Sequence, residues 1–210
     1  MMEKIELQTL KEKIDDNLRQ QVVGGRTLLD RFCVIEDESR KTPAYADPTY
    51  SGFYYHLGKQ LQPLTVLEIG FDLGLLSGSF FISNKTANTF LGFREKSKEF
   101  ASVRLGRQNI KKVMKGQRDF YIGALYDEAF DKLFSICQWD MVILTDEAKY
   151  DKNLEYLDFV WSQISPQGII VCEYLSRTPA VKDAFFAFCE NKSREYVTFK
   201  TRYQTGLVQK

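Results

Sequence analysis

Histidine is nearly absent from this 210-residue chain: His56 is the only one. A single imidazole removes most zinc-ligand sets and most Ser-His or Cys-His nucleophile schemes, leaving His56 as a packing or surface residue of a helix. The four cysteines (Cys33, Cys137, Cys172 and Cys189) are scattered, and none forms a CxxC knuckle. They read as reduced, buried thiols of a cytoplasmic protein. Net charge is also missing, with a formal total of +1, so nothing global points to nucleic acid or to a membrane surface. No apolar run approaches the ~18 residues of a membrane span, and the opening MMEKIELQTLKEKIDD lacks the apolar centre of a secretion signal.

Apolar and aromatic residues are plentiful. Hydrophobic residues make up 44% of the chain, and there are 16 Phe and 11 Tyr. That is enough for one full core, and disorder is excluded. Ile5, Leu7, Leu10, Ile14 and Leu18 recur near helical spacing over 3–22, and Gly24-Gly25 closes that segment. A short helix is expected over 26–33, a polar loop over 36–48, and a helix from Pro48 to about Gln60. This N-terminal part, 1–60, reads as a helical extension or cap on a domain spanning 61–210.

From residue 64 onwards strands and helices alternate. Strands are expected at 64–70, 88–93, 119–123, 140–145 and 168–174, with helices at 75–83, 96–115, 125–137, 150–164 and 178–191. Such alternation implies parallel strands with helical crossovers on both faces, a doubly wound α/β sheet. The last two strands, 195–200 and 205–210, are joined too tightly to be parallel, so they form an antiparallel hairpin. In such sheets a ligand lies at the carboxyl ends of the strands, and here Gly70 and Gly74 bracket the first strand-to-helix turn. Glycine there leaves the backbone open to a ligand. The bland alternative is a tight turn that merely packs helix on strand.

The wider pattern goes further. EIGFDLG at Glu68–Gly74, WDMVILTD at 139–146, SPQGIIVCE at 165–173 and the closing hairpin ending in GLVQK resemble the class I S-adenosylmethionine-dependent methyltransferases. Ser77 after the glycine turn makes the chain similar to their O-methyltransferase branch. The resemblance covers about 60–210 and implies a Rossmann-like, mostly parallel, seven-stranded sheet. It implies that Gly70, Phe71, Asp72 and Gly74 border the methionine part of S-adenosylmethionine, with Glu68 beneath. It also implies an acid at the tip of the second strand for the ribose hydroxyls. Arg94 holds that place, and Glu95, one residue on, is the acceptor-bearing alternative. Ala124 stands where an acid meeting the adenine is implied.

The catechol-type branch implies a metal trio, which falls here on Asp146, Glu173 and Tyr174; tyrosine is a poor ligand at that place, so no divalent metal is expected. Asp146 and Lys149 remain the catalytic candidates, with helix capping in solvent as the bland alternative. The expected activity is methyl transfer to a small molecule, at oxygen before nitrogen. A catalytically degenerate binding module is the alternative. An NADP-dependent reductase, suggested by Arg94, fails for want of GxGxxG. The basic stretch Lys96, Lys98, Arg104, Arg107, Lys111, Lys112 and Lys115 reads as a solvated helix face rather than an RNA surface. The tyrosine-rich YSGFYY at 50–55 would line either an acceptor pocket or a homodimer contact.

Overall fold

The computed structural model describes residues 2–18, 22–23, 26–31, 47–94, 100–114, 119–124, 132, 134–135, 138–145 and 150–210. Asp47, with its carboxylate accepting from the Thr49 amide at 2.8 Å, and Pro48 at the first position start helix α2 (Pro48–Leu61), as capping chemistry demands. Helix α1 (Leu7–Asp15) precedes it, its N-terminal amides at Gln8 and Thr9 satisfied by Glu6. Between them, Val22–Val23 pair antiparallel with Arg26–Thr27, and Leu29–Arg31 form one 3-10 turn. Within the described residues 26–31, the helix expected over 26–33 is present only as that turn. The β-branched Val22, Val23 and Thr27 favour extended backbone.

Seven strands form the central sheet: β1 (Thr65–Ile69), β2 (Thr89–Arg94), β3 (Asp119–Ala124), β4 (Trp139–Leu144), β5 (Ile164–Cys172), β6 (Tyr196–Phe199) and β7 (Thr205–Gln209). Their order across the sheet is β3-β2-β1-β4-β5-β7-β6. The first five are parallel, β7 runs antiparallel to β5, and β6 pairs antiparallel with β7. Helices α3 (Leu75–Ser83), α4 (Phe100–Val113), α5 (Tyr150–Gln163) and α6 (Pro179–Asn191) complete the layers. The doubly wound, mostly parallel sheet with a C-terminal hairpin is as expected. The expected helix at 125–137 lies almost wholly outside the described residues.

Strand β5 begins four residues earlier than the apolar run suggests, directly after α5. Ser165–Gly168 is absorbed as an irregularity against β4, with Gln167 at φ 65°. Asp140 ties this end together, accepting from the Ser165 hydroxyl at 2.9 Å and the Leu64 amide at 3.0 Å.

Alternation along each strand sorts the core into two halves. Val66, Met141, Ile143, Ile169, Val171 and Leu207 face a cluster shared with α1, α2 and α3. Leu67, Ile69, Val142, Leu144, Ile170 and Val208 face a second cluster with α5 and α6. Cys172 and Cys189 are free and buried in that second cluster, which pushes both thiols up; Cys33 and Cys137 lie outside the described residues. Among the described residues no helix is long and apolar enough to cross a membrane.

Candidate functional site

The carboxyl ends of β1, β2 and β3 meet at one rim. Gly70 leaves β1 at φ 97°, a conformation L side chains rarely adopt. Its amide and that of Phe71 both donate to the Phe93 carbonyl, at 2.8 and 2.9 Å, pinning the turn to the tip of β2. Gly74 sits at φ 68° and caps α3 without a side chain, so the opening amides of that helix have no side-chain cap. Across the neighbouring strand, Thr145 donates through both its amide (2.9 Å) and its hydroxyl (3.1 Å) to the Ile69 carbonyl.

Glu68 lies beneath the turn, 3% exposed, and takes a hydrogen bond from the Ser77 hydroxyl of α3. Burial raises its carboxyl to about 7, with the Asp72 charge adding to the rise and the Ser77 bond opposing it. Asp72 forms an ion pair with Arg94 at 2.5 Å; each side chain is about one-fifth exposed. Arg94 lies in register with Ala124 on β3, so the three strand tips are contiguous.

A second buried acid, Glu173, follows β5. One carboxylate oxygen accepts from the Tyr54 phenol of α2 at 2.6 Å and the other from Thr205 at 2.8 Å. Thr205 in turn shares a 2.7 Å hydroxyl contact with Thr201. Burial raises Glu173 to about 7 against the lowering effect of these two donors, and Glu68 contributes a like charge. Tyr54 is pushed well up, first by burial and then by Glu173.

No family model matches the chain. No curated protein matches its sequence. Solved structures do match. An O-methyltransferase from Bacillus cereus in complex with S-adenosylhomocysteine superposes with a TM-score of 0.67 at 14% identity, covering 97% of this chain and 99% of that one. TomG from Streptomyces achromogenes, an O-methyltransferase of tomaymycin synthesis in complex with S-adenosylmethionine, gives 0.67 at 12% identity over 98% of both chains. The fold is that of the class I methyltransferases. A third example, the S-adenosylhomocysteine-bound methyltransferase PaMTH1 of Podospora anserina, gives 0.59 at 14% identity over 78% of both chains.

Within this methyltransferase fold, Glu68, Gly70, Phe71, Asp72, Gly74, Arg94 and Ala124 share one rim. Phe71 offers that rim only its main chain. Its ring is fully buried, packed between β2 and α4 with the Phe90 ring 5.9 Å away. Asp146, Lys149 and Glu95 lie outside the described residues. Of the trio weighed as metal ligands, Glu173 has both oxygens engaged by hydroxyls, and Tyr174 is 2% exposed. Among the described residues no cluster of three acidic, histidine or cysteine side chains could hold a metal ion.

The YSGFYY segment proves to be interior: Tyr50, Phe53 and Tyr54 are fully buried in the monomer, so these three line no dimer contact. His56 is a packing residue, 5% exposed, edge-on to Tyr55 at 5.2 Å and lowered in pKa by burial and Lys59. Sequence reasoning missed the Glu173–Tyr54–Thr205–Thr201 network. Its members lie on three separate elements, and only their common face in the fold joins them. Of the basic stretch, Arg107 is engaged internally, donating to the Ile122 carbonyl at 2.8 Å.

Proposed function

We propose that the chain is an S-adenosylmethionine-dependent methyltransferase of the O-methyltransferase type, acting on a small-molecule acceptor. The observation that carries this reading is the turn Gly70–Gly74, with positive φ at both glycines, over a buried acid, Glu68. The residues fit such a cofactor. Gly70, half-buried, presents main chain without side-chain bulk, Gly74 makes room for the Phe71 ring and α4, and the opening amides of α3 suit a carboxylate. Glu68 suits an ammonium. Arg94, a pure donor, can serve ribose hydroxyls as acceptors, because hydroxyls do both.

When bound, the cofactor supplies an already activated methyl group on a sulfonium. What remains for the chain is alignment and proton removal. Glu68, Gly70 and Arg94, at the tips of β1 and β2, are the residues that would hold the cofactor. We assign Asp146 and Lys149, which follow β4 in sequence, to orienting the acceptor hydroxyl and taking its proton.

One observation favours a second reading, a fold-sharing binding module. The Asp72–Arg94 ion pair joins the turn to the tip of β2 where a nucleoside would lie. Titration calorimetry with S-adenosylmethionine and S-adenosylhomocysteine separates the two. Saturable heat, abolished by Gly70→Trp, supports the enzyme; no heat with either ligand leaves the binding module.

A further inference from the structure

Leu64 precedes β1 and Asp140 lies near the start of β4, so both sit where these strands begin, at the opposite end from the glycine turn. They line a cavity of about 400 Å³, closed further by the N-terminal segment and the last turn of α2. That is the size of a small-molecule site. Hydrogen bonds hold its walls. Gln209 of β7 accepts from the Ile5 amide at 2.9 Å and donates to the Glu3 carbonyl at 2.9 Å, which fixes the N-terminal wall. Gln62, left-handed at φ 45°, donates to the Ser83 carbonyl at 3.1 Å and accepts from the Lys85 amide at 2.8 Å, which fixes the end of α2.

The lining is of two kinds. Met2, Ile5, Leu61 and Leu64 offer hydrocarbon, and Leu64 is exposed, so a ligand that covers it buries apolar surface. Among them stands an acid, Asp140, only 7% exposed. One of its oxygens accepts from the Ser165 hydroxyl and the other from the Leu64 amide. That uses about half of the hydrogen bonds a carboxylate can accept. Among the described residues no cation forms an ion pair with Asp140. A buried carboxylate without a counter-ion is costly, so a cation brought to its spare acceptor sites is favoured. The whole lining carries two acids, Asp140 and Glu3, against one base, Lys4. A bare metal ion would leave the hydrocarbon uncovered and find too few oxygen ligands. An organic ammonium uses both kinds of surface.

We propose that this cavity binds a small organic amine, with its ammonium on Asp140 and its hydrocarbon against Ile5, Leu61 and Leu64. The site is separate from the Gly70–Gly74 rim and does not depend on methyl transfer. Benzylamine and hexylamine, both protonated at pH 7, are the probes, and benzyl alcohol and hexanol are their neutral counterparts. Binding to the intact chain is read by calorimetry or by ligand-observed nuclear magnetic resonance. At least one amine should saturate at or below roughly 10 mM, with its alcohol at least about tenfold weaker. Leu64→Arg, at an exposed position, removes an apolar wall and adds a like charge. It should melt within a few degrees of wild type and weaken the amine at least about tenfold. Asp140→Asn should weaken it as much, because its amide oxygen can still accept from Leu64 and its amide can donate to Ser165. Should Asp140→Asn fail to fold, Leu64→Arg and the comparison with the alcohols decide. No saturable binding of either amine, equal binding of amine and matching alcohol, or an amine affinity unchanged in either folded variant overturns the proposal.

Discussion

Glu68 and Glu173 are carboxylic acids buried to 3% and 1% exposure, and both rise from an ordinary 4.5 to about 7. Such a rise has a definite sign. Between those values the folded chain binds more protons than the unfolded one, so the stabilisation is complete below about pH 4.5 and is lost as pH climbs through about 7. The size is on the order of 3 kcal/mol per group. For Glu173 a glutamine reproduces the neutral acid. Its oxygen can accept from Tyr54 and its amide can donate to Thr205, which can pass its own proton to Thr201. Glu173→Gln should therefore melt at a higher temperature than wild type above pH 7 and nearly match it near pH 5, measured by circular dichroism across pH. A lower melting temperature at every pH would mean that the charge itself is required. Glu68 gives a binding counterpart. An ammonium beside it favours the carboxylate, so S-adenosylhomocysteine affinity should fall as pH drops below about 7, approaching tenfold per unit. In Glu68→Gln the affinity should be weaker and flat between about pH 6 and pH 8. A wild-type affinity with no slope over that range would place the ammonium elsewhere.

At the scale of elements, the junction of β1, β2 and α4 turns on the Phe71 ring. A Cβ added at Gly92 would meet that ring at 2.9 Å, and one added at Gly106 would meet the Asp72 carbonyl at 2.2 Å and the ring at 2.7 Å. Helix propensity alone would make Gly106→Ala stabilising by about 1 kcal/mol. The clash is with main chain of the turn itself, which cannot step aside without moving Asp72, so overpacking of about 1–3 kcal/mol should win. Gly106→Ala is expected to lower the denaturant midpoint and to weaken S-adenosylhomocysteine binding together. A stabilised variant would show that the turn is not held as described. This junction also marks the limit of what the sequence discloses. Strands β1, β2 and β4 are short apolar runs ending in glycine or polar residues, and their type and order could be read directly. Whether Phe71 points to the ligand or the core depends on glycines 21 and 35 positions away, which no local pattern connects. Likewise the start of β5 hides in SPQG, whose proline and glycine look like a stop but are accommodated as an irregularity beside Asp140.

For the molecule as a whole, the question is whether 1–60 is an appendage or part of the main core. The sequence shows an amphipathic opening and a change of rhythm near residue 64, which suggests a cap. The same hydrophobic cluster, however, contains Leu7, Leu10, Ile14 and Leu18 alongside Phe53, Val66, Ile143 and Phe199. Main-chain contacts cross the whole chain length: the Ile5 amide donates to the Gln209 side chain at 2.9 Å, and the Lys200 amide donates to Asp15 at 3.1 Å. Those four N-terminal side chains, at roughly 1.5–3 kcal/mol each, stabilise the fold by up to about 6–12 kcal/mol, an upper bound because the unfolded chain already buries some surface. Net stabilities of whole domains are about 5–15 kcal/mol. Removal of residues 1–18 should therefore abolish the cooperative thermal transition and the near-ultraviolet circular dichroism of the buried tyrosines, while the intact chain melts in one step. If the truncated protein keeps a sharp melt within a few degrees of the intact one, α1 is a dispensable cap, and the core begins at α2.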